Sequence, residues 1–283
     1  MSAVEKPYTD WIGNTEEIED YISLTPVRLL QMTLDDTDTV LTEGDALPPI
    51  WHWCYFLEAA PQSILGPDGH PPRGGFLPPV ALPRRMFAGG RTAFVTPLRI
   101  GVHARQTAEV KSVVEKEGRT GKLCFVTVRY TIEQEGTTCI EEERDFVYRE
   151  EGAPASAPEP QDLPQVPVGS WSRDVTPDPV MLFRYSALTF NGHRIHYDQP
   201  YVTQVERYPG LIVHGPLLAT LLLDLVRLNQ DRPVAGFSFQ ARAPIFDLNP
   251  FRVVATPGDG DEVDLKAEGP DGTLCMQASA TLG

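Results

Sequence analysis

The stretch PLLATLLLDLVRLN, from Pro216 to Asn229, decides how the chain folds. Its apolar side chains recur around the whole helical circumference, so that no wide polar face remains. A helix of this kind is stable only when other elements cover it on every side. We therefore predict a buried helix here, whose apolar residues are Leu217, Leu218, Leu221, Leu222, Leu225 and Val226.

Strand-like segments follow this helix to the end of the sequence. Phe237, Phe239 and Ala241 alternate with polar residues, which is the period of a strand with one buried face. Similar segments cover residues 251–256, 262–267 and 274–281, and a short one at 170–175 precedes the helix. One buried helix with several successive antiparallel strands predicts an α+β domain in which the sheet curls around the helix.

A proline-rich segment, Gly152–Pro167, separates this domain from the first part of the chain. Its prolines lie among small and polar residues, and such sequence continues neither a helix nor a sheet. We place a linker there, between a first domain of residues 1–151 and a second domain of residues 168–283. Similar strand counts in the two parts favour two copies of one fold.

The first domain carries weaker helix signals and clearer strand signals. Asn14 and Thr15 are candidate helix caps ahead of two glutamates, and Thr25-Pro26 is a second candidate helix start. Gly89-Gly90 is predicted as a turn. Strands are predicted over residues 92–98, 108–117, 123–133 and 137–148.

Composition excludes several classes of function. The chain has 24 Lys+Arg against 39 Asp+Glu, a formal net charge of −15, so nucleic acid is not an expected partner. We expect no secretory signal, since the first residues lack a basic region followed by an apolar stretch. The apolar run 217–226 is too short to span a bilayer. The four cysteines lack the spacing of zinc ligands or of redox pairs. We therefore expect a cytoplasmic protein with reduced thiols and no membrane partner.

Two histidine-containing segments lie just before the buried helix. The first reads YSALTFNGHRIHYD, from Tyr185 to Asp198, and the second reads YPGLIVHGPLL, from Tyr208 to Leu218. Three of the six histidines of the chain, His193, His196 and His214, fall within these segments.

These segments resemble the MaoC-like, R-specific enoyl-CoA hydratase family. The first is similar to that family's signature, a Tyr followed by Asp-x-Asn-Pro-x-His-x-Asp, and the second to its Ile-x-His-Gly entry into a central helix. The resemblance implies a double hot-dog fold, that is, two curved antiparallel sheets, each around a central helix. It covers the second half of the chain well, whereas the first half resembles a degenerate hot dog without a hydratase motif. One active site is therefore implied.

The departures from the signature concern the acid–base groups. The family's catalytic aspartate position holds Asn191, its asparagine position holds His193 and its proline position holds Arg194, while His196 and Asp198 fit. This variant resembles 3-hydroxyacyl-thioester dehydratases of the mitochondrial type, and bacterial mesaconyl-CoA and itaconyl-CoA hydratases.

Hydration of an enoyl thioester needs a base for water, a proton source for the α carbon and donors for the developing oxyanion. An imidazole titrates near neutral pH, so we assign His196 as the base. Asn191 can hold the water through its amide, and either Asp198 or His193 completes the proton relay. The resemblance implies that Gly215, at the start of the helix, forms the oxyanion hole, which its unpaired backbone N–H supports.

Four further residues are candidates for binding the substrate or ordering the site. Tyr185 and His214 are candidates for orienting or packing roles in the two segments. Arg84 and Arg85 are candidates for contacting CoA phosphates or a substrate carboxylate. We expect no metal site and no cofactor, since the CoA thioester is itself the substrate.

The leading hypothesis is a hydro-lyase that hydrates a short, branched, dicarboxylic enoyl-CoA such as itaconyl-CoA or mesaconyl-CoA. A homodimer is the candidate assembly. A first alternative is the dehydration of 3-hydroxyacyl thioesters in fatty-acid synthesis. A hot-dog thioesterase and a non-catalytic acyl-CoA-binding module are alternatives from other classes. A buried arginine at the acyl end favours the leading hypothesis, whereas an apolar tunnel favours the first alternative.

Overall fold

The computed structural model describes residues 7–118, 121–150, 156–161, 163 and 165–283. Ten strands are assigned within them: β1 Thr15–Tyr21, β2 Arg84–Phe94, β3 His103–Gly118, β4 Gly121–Gln134, β5 Thr137–Arg149, β6 Trp171–Val175, β7 Val234–Ala241, β8 Phe251–Pro257, β9 Glu262–Glu268 and β10 Leu274–Leu282. Four α-helices accompany them: α1 Leu24–Thr33, α2 Pro179–Leu188, α3 Gln199–Gln204 and α4 Gly215–Arg227.

The ten strands form one continuous antiparallel sheet in the order β1-β3-β4-β5-β2-β7-β10-β9-β8-β6. Strands β1 to β5 come from the first half of the chain and β6 to β10 from the second. The halves meet where β2 pairs with β7, from Gly89 opposite Gln240 to Ala93 opposite Gly236. The two halves therefore pair edge to edge. Two sheet edges that would otherwise attract other chains are thereby covered.

Gly89 and Gly90 lie inside β2 at this junction, so their prediction as a turn is wrong. A Cβ at Gly89 would lie 2.6 Å from the carbonyl oxygen of Phe239, and one at Gly90 would lie 2.9 Å from that of Glu143. The register of β2 against β5 also shifts between Phe87 and Gly89. These glycines therefore allow neighbouring backbones to approach closely at a bulge, which is a common reason for glycine within a strand.

The second half has the architecture that the sequence predicts. Helix α4 packs against β6 to β10, and ten of its residues, Leu217 to Val226, are buried. Leu222 and Val226 are completely inaccessible to solvent. The sheet curls around this helix, and the α+β prediction is confirmed.

In the first half, a short 3-10 turn, Trp51–Cys54, lies on the inner face of the sheet. All four of its residues are buried, and Trp53 packs edge-on against Phe87 of β2 and Phe239 of β7. Helix α1 packs instead against α2. Among the described residues of the first half, no helix is as long or as deeply buried as α4.

The helix signal near Asn14 and Thr15 is wrong, since residues 15–21 form strand β1. Its seven residues all pair with β3. A weak local preference for a helix is overridden here by hydrogen bonding along the edge of the sheet. The signal at Thr25-Pro26 is confirmed by α1.

Part of the predicted linker, residues 152–155, 162 and 164, lies outside the described residues. Its described residues form neither helix nor strand. The four cysteines are all buried free thiols. None of the helices in the described ranges is long and apolar enough to cross a membrane.

The pairing of β2 with β7 predicts that the second half does not fold well alone. Residues 168–283 expressed separately would leave the edge of β7 open and Phe239 without Trp53 and Phe87. We expect this fragment to self-associate in size-exclusion chromatography, and to become partly soluble when residues 1–151 are supplied as a separate chain. A monomeric, well-folded fragment would show that the junction contributes little to stability.

Candidate active site

The histidine segment runs from the end of α2 to α3 and is folded by its own polar side chains. Asn191 Oδ1 accepts a hydrogen bond from the backbone N–H of His193 at 3.0 Å. A 3-10 turn, Arg194–His196, follows directly. The Asn191 side chain is therefore used to shape the loop that presents the two histidines.

His196 is oriented by a single backbone carbonyl. Its Nδ1 lies 2.7 Å from the carbonyl oxygen of Ile212. A carbonyl can only accept, so Nδ1 carries the proton and Nε2 keeps its lone pair. The residue is only 7% exposed, and burial lowers its pKa to about 4. His196 is therefore a neutral imidazole with a basic nitrogen on the side away from Ile212.

His214 packs flat on His196, with ring centroids 3.7 Å apart and planes at 18°. Its Nε2 hydrogen-bonds with Ser186 Oγ at 2.8 Å, and the Tyr185 ring lies 5.1 Å away. Burial, followed by the charges of His196 and His193, holds the pKa of His214 well below its usual value. His214 and Tyr185 thus form the packed back wall that fixes the plane of His196.

Gly215 is the first residue of α4, directly after the N-cap His214. A Cβ added there would meet only Phe87 Cδ1, at 3.5 Å. The backbone N–H of this residue points away from the helix, at the positive end of its dipole. A donor for an oxyanion therefore adjoins the His196–His214 pair, and β2 of the first half faces it.

Asp198 has a local structural use in this conformation. One carboxylate oxygen accepts the Tyr201 N–H at 3.0 Å as the N-cap of α3, and the other pairs with Arg194 at 2.8 Å. These bonds lower the pKa of Asp198, the Tyr201 backbone bond being the largest cause. No bond joins the carboxylate to a histidine among the described residues.

A loop of the first half, residues 66–70, closes the site on the other side. The His70 ring lies 4.2 Å from the His193 ring, which in turn lies 5.6 Å from the His196 ring. Asp68 Oδ2 is 3.0 Å from His70 Nδ1. The glycines and prolines of this stretch indicate only a loop, and its Asp-Gly-His triplet was the one signal of a site residue.

The two candidate arginines have different surroundings. Arg84 donates to Tyr208 Oη at 2.9 Å and to the Glu206 carbonyl at 3.0 Å, and its Nη2 lies 3.7 Å from the Glu206 carboxylate. Arg85 stacks over Phe146 at 5.9 Å and has no carboxylate partner among the described residues. Its positive charge is one of the causes, after burial, that lower the pKa values of His70 and His193.

Burial keeps the whole histidine cluster neutral. It is the largest cause that lowers the pKa of His193 to about 2, followed by the charges of His70 and His196. The structure thus brings together His193, His196, His214 and Gly215 with Arg85 nearby, and Asn191 bonds to the His193 backbone. It directs Asp198 and Arg84 to partners outside this cluster. The site roles of all these residues stay predictions, as do the absences of a metal ion and a cofactor.

Comparison with known proteins identifies the family. The sequence matches the model of hydroxyacyl-thioester dehydratase type 2 over residues 50–247. The chain belongs to this family. A relative from Chloroflexus aurantiacus, mesaconyl-C(4)-CoA hydratase, is 54% identical, and the match covers 96% of this chain and 97% of the relative.

Solved structures agree on the fold of this family member. A MaoC-like dehydratase superposes with a TM-score of 0.72 at 13% identity, covering 98% of this chain and 99% of the other. A Mycobacterium tuberculosis protein described as a double hot dog gives a TM-score of 0.59 at 15% identity, with coverage of 99% and 100%. The predictions of a double hot-dog fold and of a hydro-lyase are confirmed.

The capping role of Asp198 predicts a stability effect without a catalytic one. Asp198→Ala removes the N-cap of α3, so we expect the Tm to fall by about 2–4 °C. The shape of the pH–rate profile should stay as in the wild type, because the carboxylate faces no histidine. A profile that loses its acidic limb would instead place Asp198 in the proton relay.

Proposed function

We propose that this protein hydrates the double bond of a short, branched, dicarboxylic enoyl-CoA. The observation that carries the proposal is the position of His196 beside the start of α4. Its ring stacks on His214, the N-cap of α4, with ring centroids 3.7 Å apart. A base for water and a donor for the oxyanion are two of the three requirements of this hydration, and a proton source for the α carbon is the third.

In this proposal, His196 Nε2 removes a proton from water as the water oxygen bonds to the β carbon. The electrons of the carbon–carbon double bond move to the thioester oxygen, where the Gly215 N–H stabilises the enolate. A proton then returns to the α carbon. His193 is the second group of the relay, because Asp198 already pairs with Arg194 and caps α3.

The dicarboxylic substrate is supported by the 54% identical relative named mesaconyl-C(4)-CoA hydratase and by Arg85. A buried carboxylate needs a compensating cation close by. In an acyl group of four or five carbons, a second carboxylate lies only a few atoms from the reacting carbons, which is the neighbourhood of His193. Arg85 acts on that residue electrostatically and has no carboxylate partner among the described residues, whereas Arg84 is bonded to Tyr208 and lies near the Glu206 carboxylate.

The family's own description supports the reverse reaction, dehydration of a 3-hydroxyacyl thioester, as a second candidate. An aromatic wall of Trp53, Phe87, Phe146 and Phe239 also suits an acyl chain without charge. Loss of absorbance at the double bond, followed for a panel of enoyl-CoA thioesters with and without a second carboxylate, separates the two. Release of free CoA, measured in parallel, would instead indicate a thioesterase.

The compartment is inferred from the thiols. Four buried, unpaired cysteines support a reducing environment such as the cytoplasm.

His196→Ala tests the proposed base. We expect turnover to fall at least about 100-fold, the usual contribution of a positioned general base. Size-exclusion chromatography and the Tm would show that the fold is kept. His103→Ala, at an exposed position on β3, serves as a matched control and should keep wild-type turnover. A His196→Ala variant with more than about a tenth of wild-type turnover would contradict the assignment.

Arg85→Met tests the recognition of the second carboxylate, since methionine keeps the apolar stem without the charge. We expect kcat/KM for a carboxylated enoyl-CoA to fall about 10- to 100-fold, as for the loss of a charge-assisted hydrogen bond. The uncharged analogue of the same length should be affected much less. An equal loss for both substrates would assign Arg85 to the CoA moiety or to folding.

A further inference from the structure

The relay proposed above lacks a negative charge within the hydratase segment. Asn191 stands where the family signature has an aspartate, and the Asp198 carboxylate is bound to Arg194 and Tyr201 N–H. The three histidines of the segment are held neutral by burial. A proton taken from water would therefore create an uncompensated positive charge in a buried place, at a high cost in free energy.

The loop of the first half supplies a carboxylate at this place. Asp68 Oδ1 accepts the His70 backbone N–H at 3.1 Å, and Oδ2 accepts the His70 Nδ1–H at 3.0 Å. With its proton on Nδ1, His70 keeps a lone pair on Nε2. One carboxylate oxygen of Asp68 and one ring nitrogen each of His70 and His193 lie within 4.8 Å of one another. The pair has the form of a carboxylate–imidazole dyad.

Three contacts hold this loop rigidly on the histidine segment. The Arg194 N–H donates to the Asp68 carbonyl at 2.9 Å, and Arg194 Nη1 donates to the Pro67 carbonyl at 2.8 Å. Gly69, with a φ of +91°, lies so near the Gly192 carbonyl that a Cβ would be 2.0 Å from its oxygen. Only glycine is accommodated there. The dyad is thus positioned before any substrate binds.

The geometry points to the Asp68–His70 dyad as the pair that, acting through His193, replaces the carboxylate missing from the hydratase segment. The inference rests on the hydration chemistry proposed above and assigns positioning residues from the first half of the chain to it.

The proton balance is simple. Water gives H⁺ to His196 Nε2 and its oxygen bonds to the β carbon, which leaves an enolate. The proton passes from His196 to His193, whose imidazolium donates to the His70 Nε2 lone pair while Asp68 compensates the charge. His193 then gives the proton to the α carbon, and the enolate electrons form the new C–H bond. Both histidines end neutral, water has been added, and nothing is oxidised or reduced.

Asp68→Asn tests the dyad, because the amide keeps the shape and the backbone bond to His70 while it removes the charge. We expect kcat to fall about 10- to 100-fold with KM changed less than about threefold. The control is Asp259→Asn, which removes one charge from the exposed turn between β8 and β9. It should keep the wild-type kcat.

The pH–rate profile separates a charge effect from a purely structural one. Several charged or titratable groups face His70 and His193. From the first half they are Asp68 of the loop, Arg73 just after the loop and Arg85 of β2. From the second half they are His196 of the histidine segment and His214 at the start of α4. Asp68 favours the protonated forms of both His70 and His193, so its removal lowers their pKa values. Protonation of the cluster blocks hydration, and the acidic limb should therefore move to lower pH in Asp68→Asn.

A rescue experiment completes the test. Asp68→Asn combined with Asn191→Asp returns a carboxylate to the family's own position, and we expect part of the lost kcat to return. A single variant with the kcat and pH profile of Asp259→Asn would overturn the inference. So would wild-type activity that a chelator abolishes and a divalent cation restores, because the dyad would then bind a metal ion. If His196→Ala also kept its activity, the hydration mechanism itself would fail, so the two failures are distinguishable.

Discussion

The pairing of β2 with β7 is the interaction on which the rest of the molecule depends. It joins the two halves into one sheet, and it is possible only because Gly89 and Gly90 let the backbones of β5, β2 and β7 approach closely. The same strand carries Arg85 and Phe87 toward the site. A change in this register by one residue would turn both side chains to the other face of the sheet. The junction thus sets the composition of the active site as well as the fold.

The two halves of the sheet contribute different elements to the site. The second half keeps the long helix α4, whose start supplies the free N–H of Gly215. The first half has the aromatic turn Trp51–Cys54 on its sheet. Its loop 66–70 and its strand β2 contact the site in the second half. A degenerate copy can therefore retain a role in chemistry that its own sequence does not display.

The region around the site carries positive side chains, although the whole protein has a negative net charge. A net charge of −15 disfavours the approach of anionic CoA thioesters, yet Arg73, Arg84 and Arg85 gather at the loop before β2 and at its start. Local positive charge of this kind guides an anion to its site. The histidines remain neutral because they are buried, so the positive charge of this region is concentrated on the arginines.

The sequence alone determined the buried helix, the strands that wrap it and the position of His196, because these depend on local periodicity and on a contiguous segment. It also placed Gly215 at a helix start. Tertiary structure decided three matters: that residues 15–21 pair as a strand, that Gly89 and Gly90 lie within a strand, and that Asp68 and His70 face His193. The physical reason is the same in each case. Sheet hydrogen bonds and close contacts between residues that are far apart in the sequence outweigh weak local preferences. No local pattern encodes which distant loop will meet a given histidine.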